Sequence, residues 1–299
     1  MKKAFSLVEL LVVIGIIGVL AGVLLSTFGG GSESARSAQC MANMRNIAAA
    51  CQTYGVKSDY HRYPLAYPHE GKSVTIKSGR PEREYYEDKG WISWNSQGNY
   101  PKGRAKSSQS NPTIGFKTSD DKQSTYALTN SCIWELVSRN RSTFTCPAHV
   151  KACGKESPTW SYLMNEKFSS WIQFGRPIEF GSRKVGADRV LLLSEIPFKP
   201  WHSWLPSGTG TGTDDDAVLQ YPNGDSGKSE TLGANHVNGR NLFAHVAFAD
   251  GHTEKLHIPY TGSIKNPQVD ESQLKELTEW LCTGTDVSFN GKSYQKLDN

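Results

Sequence analysis

MKKAFSLVELLVVIGIIGVLAGVLLSTF, residues 1–28, sets the reading of the whole chain. Two lysines, Lys2 and Lys3, precede a run in which every residue from Phe5 to Phe28 is apolar, small or hydroxyl-bearing except Glu9. As a helix those residues extend ~36 Å at ~1.5 Å per residue, enough to cross a ~30 Å hydrocarbon layer. The run is longer than the ~7–15-residue apolar core of an ordinary secretory signal, and no small-x-small site follows it. A carboxylate one turn inside such a helix costs roughly 2.5–3.5 kcal/mol if it lies near the bilayer centre, so Glu9 needs a partner or an exit. Either it reaches headgroups and water near the interface, or a charge on another chain meets it within the membrane. Lys2 and Lys3 keep the start of the chain cytoplasmic and send the remainder outside.

Gly15, Gly18 and Gly22 set small residues three and four apart, a spacing that lets membrane helices approach closely. Lys2-Lys3-Ala4 followed by Phe5-Ser6-Leu7-Val8-Glu9-Leu10-Leu11-Val12-Val13-Ile14 resembles the prepilin segment of type IV pilins and type II secretion pseudopilins. Ala4 stands where that family usually has glycine. The resemblance implies cleavage between Ala4 and Phe5 by a prepilin peptidase and methylation of the new amine. Glu9 then becomes the fifth residue of the mature chain, where it neutralises the N-terminus of a neighbouring subunit in the filament. An uncleaved signal anchor is the competing reading of the same residues.

Gly29-Gly30-Gly31 predicts a break or kink where the helix leaves the membrane, since each glycine costs ~1 kcal/mol against alanine. Ser32 and Glu33 then supply a cap and a first-turn acid for a restart. Beyond them Cys40, Met44, Ile47, Cys51 and Tyr54 fall on one stripe of an amphipathic helix that runs to Gly55. That stripe is the face expected to pack under a head. The stretch 36–54, RSAQCMANMRNIAAACQTY, is similar to the second helical half of large pilin-like proteins. Phe144-Thr145-Cys146-Pro147 and Ser161-Tyr162-Leu163-Met164-Asn165 look like two further stations of that group.

All six cysteines (Cys40, Cys51, Cys132, Cys146, Cys153 and Cys282) follow the apolar segment, on the side where an oxidising envelope permits disulfides. None forms a C-x-x-C pair, which argues against a zinc knuckle or a thioredoxin-type redox site. Cys40 and Cys51 lie ~16 Å apart along one helix and cannot join each other, while Cys146 and Cys153 enclose a short loop that a bridge would close. Each cysteine is a candidate for a disulfide, and the pairing stays open. A net charge of +4, dispersed along the chain, excludes nucleic acid as an expected partner. Fourteen prolines, 28 glycines and an apolar fraction of 37% indicate a loop-rich head that contains sheet.

Val190-Leu191-Leu192-Leu193 reads as a buried strand. Val246 to Ala249, a turn at Asp250-Gly251 and Thr253 to Ile258 read as a hairpin, with alternation suited to a half-buried strand. Glu271 to Leu281 has the spacing of an amphipathic helix, with Cys282 placed to anchor it. The segment from His236 through Asp250, Gly251 and His252 resembles the H-x9-DG segment of large pilin-like proteins. Its F-A-D-G-H core carries the likeness, because His236 and Asp250 enclose 13 residues rather than nine. His236, His245, Asp250 and His252 are also the donor types for a transition metal or for His–Asp hydrolytic chemistry. Set against that, Asp at a tight turn normally serves the turn, and no nucleophile motif or H-E-x-x-H is present. Asp214, Asp215, Asp216 and Asp225 are oxygen donors suited to Ca²⁺, in a Gly-rich loop of the kind that is usually just solvated. Otherwise no cofactor is expected.

These observations predict an α+β, pilin-like chain. Residues 1–4 are the leader, 5–28 a transmembrane and assembly helix, 29–55 an amphipathic stalk helix, and 56–299 a periplasmic or extracellular head with long loops. The helix packs on a C-terminal antiparallel sheet. The expected role is structural and non-enzymatic: a subunit of a type IV pilus or a type II secretion pseudopilus. It would stand in the inner membrane before assembly and in a homo- or hetero-oligomeric filament afterwards. The alternative is a minor tip pilin or signal-anchored envelope protein whose head binds glycan or another polymer. Trp91 and Trp94, and the Trp201-His202-Ser203-Trp204 stretch, would serve it as binding aromatics or as cover for a small core. An anchored enzyme using the His/Asp residues is a third possibility.

Overall fold

The computed structural model describes residues 7–58, 61–66, 90–92, 99–100, 103–104, 128–129, 131–153, 158, 160–169, 172–180, 183–197, 217–219, 231–263, 266–284, 288–289 and 292–293. In the first helix, the side chains of residues 8, 9 and 18–32 lie outside that description. So do Ala4, Phe5, Trp94, Trp201, Trp204 and the acidic-loop residues Asp214, Asp215, Asp216 and Asp225, together with most of residues 56–125.

One helix, α1 (Leu7–Lys57), runs unbroken for 51 residues. The break expected at Gly29–Gly31 is absent. Glycine lowers helix propensity but keeps its N–H, so nothing interrupts the i→i−4 ladder once both flanks are helical. At its N-terminal end the helix exposes Leu7, Leu10, Leu11, Val12, Val13, Ile14, Ile16 and Ile17. Among the described residues nothing covers these side chains. Among the described residues no helix is long and apolar enough to cross a membrane.

The C-terminal half of α1 is a packing element. Cys40, Met44, Ile47 and Cys51 are all fully buried, and Tyr54 is half-buried against the same core. The 4-3-4-3 spacing therefore marks the face that meets the head. Polar groups on the helix fix its register. Asn43 donates to the carbonyls of Ser142 and Thr145 at 3.1 and 2.9 Å, and Arg45 donates to Thr253 Oγ1 at 2.7 Å.

The head is built on a six-stranded sheet. Its strands are β1 (Tyr162–Asn165), β2 (Leu191–Glu195), β3 (Val218–Leu219), β4 (Ala234–Asn238), β5 (Asn241–Phe248) and β6 (Thr253–Ile258). The spatial order is β6-β5-β2-β1-β3, with β4 also paired to β5. All pairings are antiparallel except β1 with β3. The β5–β6 hairpin turns at Asp250-Gly251 as the residue types require, with Gly251 at φ 93°.

Strand β5 differs from the half-buried expectation: from Ala244 to Phe248 every residue is buried. The sheet is covered on both faces. Tyr162 approaches Cys40 of α1, whereas Asn165, of opposite parity on β1, donates to the Cys282 carbonyl at 3.0 Å. Cys282 belongs to a terminal helix, α3 (Glu271–Thr283), so α1 and α3 sandwich the sheet. Asp270 caps α3 by accepting from the Ser272 and Gln273 amides, and Gly284 ends it in the left-handed region. Leu274, Leu277, Leu281 and Cys282 form its buried face. A short helix, α2 (Pro147–Cys153), starts at Pro147, where the missing N–H costs nothing. Residues 131–139 form successive turns rather than a helix or strand. Trp91 is fully buried, in core rather than on a binding surface.

Candidate functional site

The junction of α1 with the sheet buries a cluster of ionisable side chains. On one edge of β5, β4 pairs with the first half of the strand and β2 with the second half. β2 and β4 therefore meet end to end, and the Gly233 amide donates to the Glu195 carbonyl at 2.8 Å. This arrangement puts Glu195, the last residue of β2, beside His236 of β4 and His245 of β5. All three point toward α1, where Cys40 closes the group. The Glu195, His236, His245 and Cys40 side chains are completely buried.

Three donors converge on a single carboxylate oxygen. Glu195 Oε1 lies 2.5 Å from Cys40 Sγ, 2.8 Å from His236 Nε2 and 3.4 Å from His245 Nδ1. The opposite nitrogen of each imidazole faces an oxygen of α1. His245 Nε2 is 3.0 Å from Ser37 Oγ, and His236 Nδ1 is 3.5 Å from Glu33 Oε1. Arg36, 2.7 Å away, in turn holds Glu33. Tyr162 Oη lies 3.4 Å from Cys40 Sγ, and Cys146 Sγ lies 3.4 Å from His236 Nε2.

Opposing effects set the charges. Burial pushes the Glu195 carboxyl up, but the attraction of His236 and His245 and their hydrogen bonds hold it well below the usual range. His236 is held above the ordinary imidazole range, since the Glu195 charge and the Cys146, Glu195 and Glu33 contacts outweigh burial. For His245 burial wins, and its pKa is lowered. Burial likewise raises the Cys40 thiol well above its usual value.

Ser37, His245 and Glu195 stand in the order of an acyl-transfer triad. Ser37 is only 5% exposed and the other two are sealed, so no path leads a substrate to the hydroxyl. The arrangement suits holding α1 against the sheet, or holding a cation, rather than turnover.

The quartet singled out by sequence, His236, His245, Asp250 and His252, divides between two places. His236 and His245 enter the buried cluster. Asp250 and His252 stay at the hairpin turn, both about one-third exposed. There the Asp250 carboxylate accepts from the His252 amide at 3.1 Å, its Oδ1 lies 2.5 Å from His252 Nδ1, and His252 stacks on Phe248. His245 faces Lys255 across the hairpin, not His252. Gly251 packs against the Gln52 side chain of α1, which explains the D-G pair as turn and contact together.

Sequence reading passed over Glu195 and did not connect Cys40 with the histidines. One signal was present: Glu195 ends strand β2 two residues after the apolar run Val190-Leu191-Leu192-Leu193, where a charge must find a partner. Among the cysteine candidates, Cys40, Cys51 and Cys146 carry thiols, and Cys146 points toward Cys40 and His236. Cys132 is partly buried and Cys282 buried, while the Cys153 side chain lies outside the described residues.

The N-terminal end of the chain matches a known family. Residues 1–25 match the family described as "Prokaryotic N-terminal methylation motif". The type II secretion system core protein G of Klebsiella michiganensis is 30% identical over 91 residues, or 30% of this chain and 63% of that protein. The core protein G of Pectobacterium carotovorum subsp. carotovorum is 31% identical over 91 residues, covering 57% of its length. Over these 91 residues the chain is similar to secretion pseudopilins. It spans roughly three-fifths of the length of those two relatives. No solved structure matches it. The resemblance read from Phe5 to Ile14 thus rests on the matched N-terminal segment and on secretion pseudopilins. Ala4, Phe5 and the Glu9 side chain lie outside the described residues.

Proposed function

We propose that this chain is a structural subunit of a filament of pilin-like subunits, a type II secretion pseudopilus or a type IV pilus, made as a precursor and processed between Ala4 and Phe5. One observation carries the reading: the matched methylation segment, residues 1–25, lies at the start of a 51-residue helix whose far half is built into the head. Such a chain has an assembly end and a display end joined by one rigid element. The exposed apolar side chains from Leu7 to Ile17 need a covering that the head does not supply. Bilayer before assembly, and the helices of other subunits after it, provide that covering. The role is structural rather than catalytic, in an envelope membrane with the head outside. Prepilin peptidase and the neighbouring subunits are its partners.

Within that filament Glu9 neutralises the amine of Phe5 on an adjacent subunit, and removing one member of such a desolvated pair is costly. In the native host, Glu9→Leu leaves the chain in the membrane but abolishes cross-linked multimers. Multimers at the wild-type level would overturn the assignment.

A further inference from the structure

We propose that Cys40, Glu195, His236 and His245 form a tetrahedral Zn²⁺ site that fastens the stalk helix to the sheet. One ligand atom from each, the Cys40 sulfur, a Glu195 oxygen and one nitrogen of each histidine, lie within 4.8 Å of one another, all in buried residues. That spread is close to the ligand spacing around a small cation with bonds of ~2.0–2.3 Å. One sulfur, two imidazoles and one carboxylate form a donor set for zinc rather than for calcium or magnesium, which take oxygen. The charge balances too: a thiolate and a carboxylate neutralise the dication, leaving two neutral imidazoles and no net charge in the core.

The surroundings are those of ligands held in place. Each histidine turns its remaining nitrogen to an oxygen of α1, His245 to Ser37 at 3.0 Å and His236 toward Glu33 at 3.5 Å. Such outer partners orient imidazoles at metal sites. Tyr162 Oη stands 3.4 Å from the Cys40 sulfur, positioned to donate to a thiolate. No ligand position opens to solvent, which makes the site structural rather than catalytic. The ligands come from α1, β2, β4 and β5, and Cys40 lies 155 residues from Glu195. The metal therefore closes a long-range contact between stalk helix and sheet. Both fates of Cys40 open in the envelope compete directly, because a thiolate bound to zinc is not available to form a disulfide with the adjacent Cys146.

The test uses the full chain, extracted from membranes in mild detergent and purified without chelator. Elemental analysis is expected to find about one zinc per chain. Exchange with Co²⁺ should give the intense visible spectrum of a tetrahedral site with a sulfur-to-metal charge-transfer band. Cys40→Ser should lose that band and the zinc, while Cys51→Ser, equally buried on the same helix stripe, should keep both. Wild-type protein with no zinc and no cobalt spectrum would overturn the proposal. So would a Cys40–Cys146 disulfide found by non-reducing peptide mapping, or equal metal loss in both cysteine variants.

Discussion

His149 shows how a single residue makes this head sensitive to acid. Its ring is buried, with Nδ1 2.9 Å from Ser161 Oγ. Burial lowers its pKa to about 4, with the Glu195 charge only partly opposing. The folded state therefore keeps the ring neutral at pH values where the unfolded chain protonates it. Above the unfolded value near 6.5 this carries no penalty; as pH falls from there toward 4, stability drops by ~3 kcal/mol in total. Denaturant titrations at pH 7 and pH 4.5 should show that fall, and His149→Gln should reduce the difference between them, leaving the part that His245, also lowered by burial, contributes. An unchanged pH dependence in the variant would assign the acid sensitivity elsewhere. The residue scale also explains why the buried cluster was half-hidden in the sequence. His236 and His245 drew notice as histidines close to a D-G turn. Glu195 lies 41 and 50 residues from them, and Cys40 a further 155 residues back from Glu195, in elements whose contact no local pattern encodes.

At the scale of elements, α1 separates into an exposed end and a packed end, and substitutions should follow that division. Ile47, fully buried against the head, is expected to lose about 2–5 kcal/mol as Ile47→Ala. Val56, 59% exposed near the C-terminus of the same helix, should change stability by no more than ~0.5 kcal/mol as Val56→Ala. Equilibrium unfolding of the two variants compares them directly. A further contrast lies at the hairpin turn. Gly251 adopts φ 93° against Gln52, so Gly251→Ala should cost ~1 kcal/mol or more, read in the same unfolding assay. The stalk stripe, the buried strand after Val190, the hairpin and the terminal helix were legible because each is a local repeat of apolar residues or a turn signal. The unbroken passage through Gly29–Gly31 was not, since helix continuity depends on both flanks and not on three weak residues. Nor was the burial of both faces of β5. A strand's own alternation does not reveal that α1 covers one side of the sheet and α3 the other.

For the whole molecule, one continuous helix joins an apolar, exposed N-terminal end to a head that holds its other half with core side chains and a polar cluster. The matched segment at residues 1–25 belongs to the first of these features. The cluster of Cys40, Glu195, His236 and His245 belongs to the second. Processing is the step on which the functional reading turns, because only cleavage converts a signal-anchored protein into an assembling subunit. Intact and N-terminal peptide mass spectrometry on the protein from native membranes tests it directly. The account predicts a mature chain that begins at N-methylated Phe5, and a chain that still begins at Met1 would contradict it.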